Sequence, residues 1–216
     1  MFIGHFGVGF GARALAPAMS LGTAFLAAQF VDLLWPTLLL LGVESVEIAP
    51  GITRVTPLDF THYPVSHSLV AVLGWAAGFA LVYALLRRYR AGAVAAALAV
   101  VSHWLLDLLT HRPDLPLAPG LDVYAGLGLW QSLGATLAVE TTLFAVGLAL
   151  YLRNTRALDR SGHIALWTLV AFLLLAYAAN VFGPPPPGVE AIAWAGQAQW
   201  LLIAWGYWVD RHRGNR

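Results

Sequence analysis

A histidine and an aspartate four residues apart form the sharpest chemical pattern in this sequence, at His103 and Asp107 within Ser102-His103-Trp104-Leu105-Leu106-Asp107. On an α-helix, residues at i and i+4 project from one face, so both side chains can reach the same cation. Imidazole nitrogen together with carboxylate oxygen suits zinc, and also iron or manganese. The alternative is a buried His–Asp hydrogen bond that satisfies two polar groups and carries no chemistry.

A second candidate group is the segment Thr61–Ser68, which contains His62 and His67. Pro64 suits the first turn of a helix, and a neighbouring serine could orient a ligating imidazole. The alternative is a pair of loop histidines at the membrane interface.

Three further residues complete the candidate site. His5 lies in an apolar, glycine-rich N-terminal stretch. Asp32 could be a ligand, a general base or a paired polar group inside a helix, and Glu140 an acid that faces the substrate or pairs internally. The predicted catalytic residues are Asp32 and Glu140. The candidate metal ligands are His5, Asp32, His62, His67, His103 and Asp107.

The elements that must position these residues are predicted from composition. Of the 216 residues, 59% are hydrophobic and 11% are charged, and the mean hydropathy is +0.71. Soluble domains carry roughly a quarter charged residues, so lipid must cover part of this surface. The chain lacks cysteine, which excludes disulfides and thiolate metal sites. We therefore predict an all-α integral membrane protein.

About 20 mostly apolar residues are needed for one helical crossing. Residues 1–16 are apolar but too short to span, and we predict a half-helix that ends before Pro17. Together with this half-helix, the sequence predicts about six transmembrane helices in a single membrane domain, 1–216. The predicted spans are Ser20–Gly42, Val65–Leu86, Ala91–Thr110, Leu129–Leu152, His163–Phe182 and Val189–Val209.

Arginine placement predicts the orientation of these spans. With six spans, Arg54 and Arg112 lie on one face of the membrane and the other ten arginines on the opposite face. The positive-inside rule places the arginine-rich face in the cytoplasm. The arginines form short clusters between apolar runs, which indicates membrane topology and no nucleic-acid partner.

The depth of the polar residues indicates one shared layer. At about 1.5 Å of rise per residue, Asp32, His103 and Glu140 come out roughly 18–20 Å from the cytoplasmic end of their spans, with Asp107 one turn further out. Ionisable groups at such depth usually face the interior of a bundle or a water-filled cavity. The sequence therefore predicts a buried polar site in the outer half of the membrane.

Four pieces of the sequence, in order, resemble the YdjM-like (DUF457-type) inner-membrane proteins, which are described as predicted membrane-bound metal-dependent hydrolases. The pieces are Gly4-His5, Asp32 followed by Pro36, His62–Ser68, and Ser102–Thr110. The likeness covers residues 1–110, and the remaining 111–216 would add further transmembrane helices. The chain departs from the family pattern at Leu34 and Trp35, where the family has an acid and a histidine, and at Tyr63-Pro64, where it has Arg-Gly.

The resemblance implies a bacterial cytoplasmic-membrane enzyme with a divalent metal ion, zinc by preference. The implied metal-site residues are His5, Asp32, His67, His103 and Asp107, with His62 as a further candidate. The helix with His103 and Asp107 also resembles that of the zinc-dependent phospholipase C group, which suggests phosphoester chemistry. Together with the predicted depth of the polar layer, this gives a lipid or lipid-linked phosphoester of the outer leaflet as the expected substrate. Two other functions remain open: a transporter coupled to protons or cations, and a non-catalytic membrane protein whose polar core only holds its helices together.

Overall fold

The computed structural model describes all 216 residues as a mostly helical bundle. The helices are α1 (Ile3–Leu15), α2 (Leu21–Ala28), α3 (Phe30–Leu40), α4 (Pro64–His67), α5 (Leu69–Arg87), α6 (Arg90–Thr110), α7 (Leu133–Asn154), α8 (Arg160–Phe182), α9 (Val189–Gln197) and α10 (Gln199–Arg211). Short antiparallel strand pairs close the ends of the bundle: β1 (Ser45–Ile48) with β2 (Leu58–His62), β3 (Leu115–Pro116) with β4 (Tyr124–Ala125), and β5 (Thr155–Ala157) with β6 (Arg213–Asn215).

Four helices, α5 to α8, are long and apolar enough to cross a membrane, and a fifth span is formed if α2 and α3 are taken together. The prediction of a helical protein with several possible membrane spans is confirmed, whereas the count of six spans is not. The predicted sixth span, Val189–Val209, is two short helices of 9 and 13 residues that meet at Ala198.

The first predicted span is also broken. Its two halves, α2 and α3, meet at Gln29 with a bend of 57°. The second half leans on α9, since a Cβ atom built on Gly196 would lie 2.4 Å from Pro36 Cγ. Only a residue without a side chain allows this close approach, so Gly196 fixes how α9 packs on α3.

Helix α1 is short, as predicted, and lies inside the bundle against α7, α2 and α6. Its backbone touches that of α7, because a Cβ atom on Gly147 would lie 1.9 Å from the Gly7 carbonyl oxygen. Its first turn is held by Glu140 of α7, whose Oε2 accepts hydrogen bonds from Phe2 N at 2.8 Å and Gly4 N at 3.3 Å. These contacts bring His5 into the centre of the molecule.

The arginine clusters lie at the turns between α5 and α6 and between α7 and α8, where Arg87, Arg90, Arg153 and Arg160 are found. The β1–β2 hairpin and the β3–β4 loop lie at the other end of the same helices. The bundle therefore has one arginine-rich end and one end closed by hairpins.

Candidate metal centre

Four helices bring five candidate ligands together. His5 is on α1, Asp32 on the first turn of α3, His67 at the end of α4, and His103 and Asp107 on one face of α6. They form two overlapping groups, His5–His103–Asp107 and Asp32–His67–His103, and within each group the candidate ligand atoms lie within 4.8 Å of one another. Five of the six predicted metal ligands thus meet in one place.

The distances centre on two carboxylates. His103 Nε2 lies 3.2 Å from Asp107 Oδ2 and 3.5 Å from Asp32 Oδ1. His67 Nε2 lies 3.5 Å from Asp32 Oδ1 and 3.8 Å from Asp107 Oδ2. On the other side, His5 Nε2 lies 3.2 Å from Asp107 Oδ1, and the ring of His5 stacks on that of His103 at 3.7 Å. The α-amino nitrogen of Met1 also lies 2.9 Å from Asp107 Oδ1.

The break between α2 and α3 orients His103. The carbonyl oxygen of Ala28, at the end of α2, lies 2.8 Å from His103 Nδ1. A carbonyl can only accept, so Nδ1 carries a proton, and Nε2 is the atom that would offer its lone pair to a metal ion when the ring is neutral. That Nε2 atom is buried and has no hydrogen-bond partner. A lone pair facing two carboxylates is the arrangement of a metal ligand held by an outer partner.

His67 is also held through its Nδ1 atom, by a relay of hydrogen bonds that runs from Glu44 through Ser66. The Ser66 hydroxyl donates to Glu44 Oε2 at 2.6 Å, so its oxygen is left to accept from His67 Nδ1 at 2.7 Å. Glu44 is buried and also accepts from the backbone N–H groups of Val65 and Ser66, both at 2.8 Å. His67 Nε2 is therefore also the atom that would offer its lone pair to a metal ion beside Asp32 and Asp107.

Glu44 was not predicted from the sequence. It lies in the turn between α3 and β1, 22 residues before Ser66. No local spacing links an acid in this turn to a serine in α4, so only the fold could reveal this pair. Ser66 and Ser68 both adjoin His67 and were predicted as possible supports for a ligand, and the structure pairs Ser66 with the ring.

The other two predicted site residues lie differently. Glu140 lines the same cavity as the candidate ligands, but its carboxylate holds the first turn of α1 through Phe2 and Gly4. His62 is exposed at the end of β2 and lines a separate small depression beside Pro116 and Tyr124. The structure does not bring His62 to the cluster.

A cavity of about 320 Å³ adjoins the cluster. Asp32, His67 and Asp107 line it, together with residues of α8 and α9. Residues between β1 and β2, together with Trp130, cover it at the hairpin end. The cavity gives the candidate ligands room for a bound molecule.

His111 also faces this cavity, outside the ligand groups. Its Nδ1 lies 2.9 Å from Asp114 Oδ1, and Arg112 Nε donates to the other carboxylate oxygen at 2.9 Å. Burial lowers the pKa of His111, which favours a neutral ring. No local sequence pattern separates this histidine from ordinary interfacial residues.

No protein-family model, curated protein or solved structure matches this chain. The family resemblance therefore stays a prediction, and the function is inferred from the geometry of the cluster. That geometry defines a mostly helical protein with several possible membrane spans and a buried His/Asp group that could hold a metal ion.

Proposed function

We propose that this protein is a membrane-embedded, metal-dependent hydrolase. One observation carries the proposal: outer hydrogen bonds turn the Nε2 lone pairs of both His67 and His103 toward the same two carboxylates. The ligands would be His5, His67, His103 and Asp107, and the donor set of imidazole and carboxylate favours zinc.

The proposed chemistry is hydrolysis of a phosphoester. A bound divalent ion lowers the pKa of a coordinated water and polarises the phosphoryl oxygen. Asp32 is the most accessible of the five candidate ligands, with a side chain 21% exposed against at most 4% for the others. It would complete the ligand set or take the proton of the attacking water. As the base, Asp32 would hold that proton while the water oxygen bonds to phosphorus, and would pass it to the alkoxide released when the ester P–O bond breaks.

The proposed substrate is a lipid or lipid-linked phosphoester. Two features support it: the cavity is lined largely by apolar residues, and it lies toward the hairpin end of the bundle, away from the arginine clusters. The positive-inside rule assigns that end to the outer face of a bacterial cytoplasmic membrane. A lipid of the outer leaflet could reach the cluster there.

The first test is metal analysis of the purified protein by mass spectrometry, with His103→Ala and Asp107→Ala as variants. We expect zinc in the wild type and its loss from both variants. His62→Ala is the matched control, because this exposed histidine lies outside the cluster, and it should keep the metal. Wild-type protein without metal, or variants that retain all of it, would contradict the proposal.

The second test is incubation of the zinc-loaded protein with phospholipid vesicles, followed by phosphorus NMR. Hydrolysis that disappears in His103→Ala but persists in His62→Ala is the expected result. Proton or cation flux into liposomes without any change in the phosphorus spectrum would favour a transporter instead.

A further inference from the structure

A groove of about 750 Å³ runs along the outside of the bundle, lined by α5 together with residues of α2, α3 and α10. None of its lining residues also lines the cavity beside the candidate ligands. On α5 the lining extends from Trp75 to Arg87, which is about 18 Å of helix. Since the hydrocarbon core of a bilayer is about 30 Å thick, the groove follows α5 for roughly the depth of one leaflet.

The end of the groove that lies away from the arginine clusters is aromatic. The ring of Phe30 lies 5.7 Å from that of Trp75 and 5.9 Å from that of Phe79, centroid to centroid. Gly78 also lines the groove, is exposed, and would place a Cβ atom with nothing within 4 Å. No side chain fills the groove at this position, which leaves an open apolar channel that suits an alkyl chain.

The arginine-rich end of the groove is polar and carries positive charge. Arg87 is exposed there and is not among the arginines that pair with an aspartate, Arg13 and Arg112. The hydroxyl groups of Thr23 and Tyr207, 2.9 Å apart, line the same end. No acidic residue lines the groove. The charge and the hydroxyl groups therefore suit an anionic, oxygen-rich head.

We propose that this groove binds an anionic phospholipid of the membrane leaflet at the arginine-rich end. Its phosphate oxygens accept hydrogen bonds from Arg87 and from the hydroxyl groups at that end, and one acyl chain lies along α5 as far as the ring of Phe30. Arginine forms charge-assisted hydrogen bonds with phosphate, and basic pockets between membrane helices bind anionic lipid heads. A zwitterionic lipid would bring its ammonium group beside Arg87 with no carboxylate in the groove to receive it.

The bound chain would also contact both halves of the broken span. Leu26 of α2 and Phe30 of α3 line the groove on either side of the break at Gln29. A ligand that binds only the folded state stabilises it by mass action. The anionic lipid should therefore raise the melting temperature of the protein, with no reaction of the lipid itself.

The head is tested by native mass spectrometry of the full-length protein in detergent. The apparent affinity for the first bound lipid is measured with phosphatidylglycerol and with phosphatidylcholine of the same acyl chains, and we expect the wild type to prefer phosphatidylglycerol. Arg87→Gln should bind phosphatidylglycerol about 5-fold more weakly, the factor for one basic residue beside an anionic lipid. Arg90→Gln is the matched control, because Arg90 is an exposed arginine of the same turn that does not line the groove.

The chain is tested with a second matched pair. Gly74 and Gly78 are one turn apart on α5, are both exposed and would both place a Cβ atom in open space, but only Gly78 lines the groove. Helical side chains lean toward the helix N-terminus, so a leucine at position 78 leans along the groove and one at position 74 leans away from it. Gly78→Leu should lose the preference for phosphatidylglycerol and the rise in melting temperature, and Gly74→Leu should keep both.

Equal affinity of the wild type for the two lipids would overturn the inference. So would an Arg87→Gln variant that binds phosphatidylglycerol as tightly as Arg90→Gln does, or a Gly78→Leu variant that behaves as Gly74→Leu does. If one pair of variants fails to fold, as judged by circular dichroism, the other pair decides. These measurements need neither a metal ion nor hydrolysis, so the lipid site can be refuted or supported whatever the outcome for the proposed function.

Discussion

Single hydrogen bonds decide which way the imidazoles of the cluster face. The Glu44–Ser66–His67 relay and the Ala28–His103 bond each fix a proton on Nδ1. Groups that orient a ligand in this way commonly change metal affinity by roughly 10- to 100-fold when they are removed.

Ser66→Ala should therefore weaken zinc binding by about 10- to 100-fold, because His67 Nδ1 loses its acceptor and the ring is free to turn. Competition with a chromophoric chelator measures the affinity, and Ser66→Thr, which restores a hydroxyl, should recover most of it. Ser102→Ala is the control, since Ser102 bonds only to the Ala99 carbonyl beside the site. Equal affinities for Ser66→Ala and Ser102→Ala would disprove the relay.

Glu140 gives a second prediction at this scale. Glu140→Ala should lower the free energy of unfolding by about 1–3 kcal/mol, because Phe2 N and Gly4 N lose a buried acceptor. Thermal melts followed by circular dichroism would show this. A Glu140→Ala variant that has the melting temperature of the wild type but hydrolyses no lipid would instead support the catalytic role predicted from the sequence.

At the residue scale, the sequence predicted which residues belong to the cluster better than it predicted which groups those residues contact. His103 and Asp107 were accessible to prediction because their helical spacing is local, whereas the depth of Asp32 stays a prediction, because the span from which it was counted is broken at Gln29. The orientation of the His103 and His67 rings could not be predicted, since it is set by Ala28 and Glu44, which are distant in sequence from the rings they orient.

Close backbone contact between two helices positions the first of the candidate ligands. Gly147→Ala should destabilise the protein by about 1–3 kcal/mol, because the new methyl group meets the Gly7 carbonyl oxygen and pushes α1 away from α7. Chemical denaturation measures the stability, and zinc affinity should fall with it as His5 moves. Gly11→Ala on α1 is the control, as its Cβ would meet nothing within 4 Å. A Gly147→Ala variant as stable as Gly11→Ala would refute the contact.

The start of α8 provides a pH-dependent prediction. Asp159 precedes the helix, accepts a hydrogen bond from Gly162 N at 2.8 Å and lies 2.8 Å from His212 Nδ1. The His212 contact and then the Gly162 N–H hold the pKa of Asp159 below its ordinary value. A carboxyl with a lowered folded pKa stabilises the protein above its unfolded pKa of about 3.9, and this contribution is lost as the pH falls through the folded pKa.

Asp159→Ala should thus lower the melting temperature at pH 6, and the difference from wild type should shrink as the pH approaches 3. Asp122→Ala, which changes an exposed loop aspartate at the other end of the molecule, is the control and should show no such trend. A constant difference at both pH values would contradict the assignment.

The helix boundaries could be predicted from the sequence only in part. The four long spans were predictable because each is an apolar run bounded by polar turns. The break at Gln29 was not, because residues 20–42 contain no proline or glycine at that point and Pro36 comes seven residues later. The bend is set by tertiary packing. At the split between α9 and α10 the one local signal is Gly196, two residues before Ala198, and a single glycine does not by itself end a helix.

One end of the whole molecule carries the arginine clusters and the other carries the hairpins. Because the chain has no cysteine, a single introduced cysteine can report which end faces outward. We propose that the hairpin end faces outward. Asp122→Cys in intact bacteria should then react with a membrane-impermeant maleimide, and Arg156→Cys should react only after permeabilisation. Both positions are exposed and lie at opposite ends of the bundle. The reverse labelling pattern would invert the orientation and place the cavity on the cytoplasmic side.

The bend between α2 and α3 links the shape of the backbone to the chemistry of the cluster. In an unbroken helix, the carbonyl oxygen of Ala28 would accept from the backbone four residues on, at Asp32. Here it holds His103 instead, and Asp32 carries a carboxylate of the cluster. A straight helix and an oriented imidazole therefore compete for one oxygen atom. Any motion that straightened this segment would release His103 and shift Asp32 in the same movement.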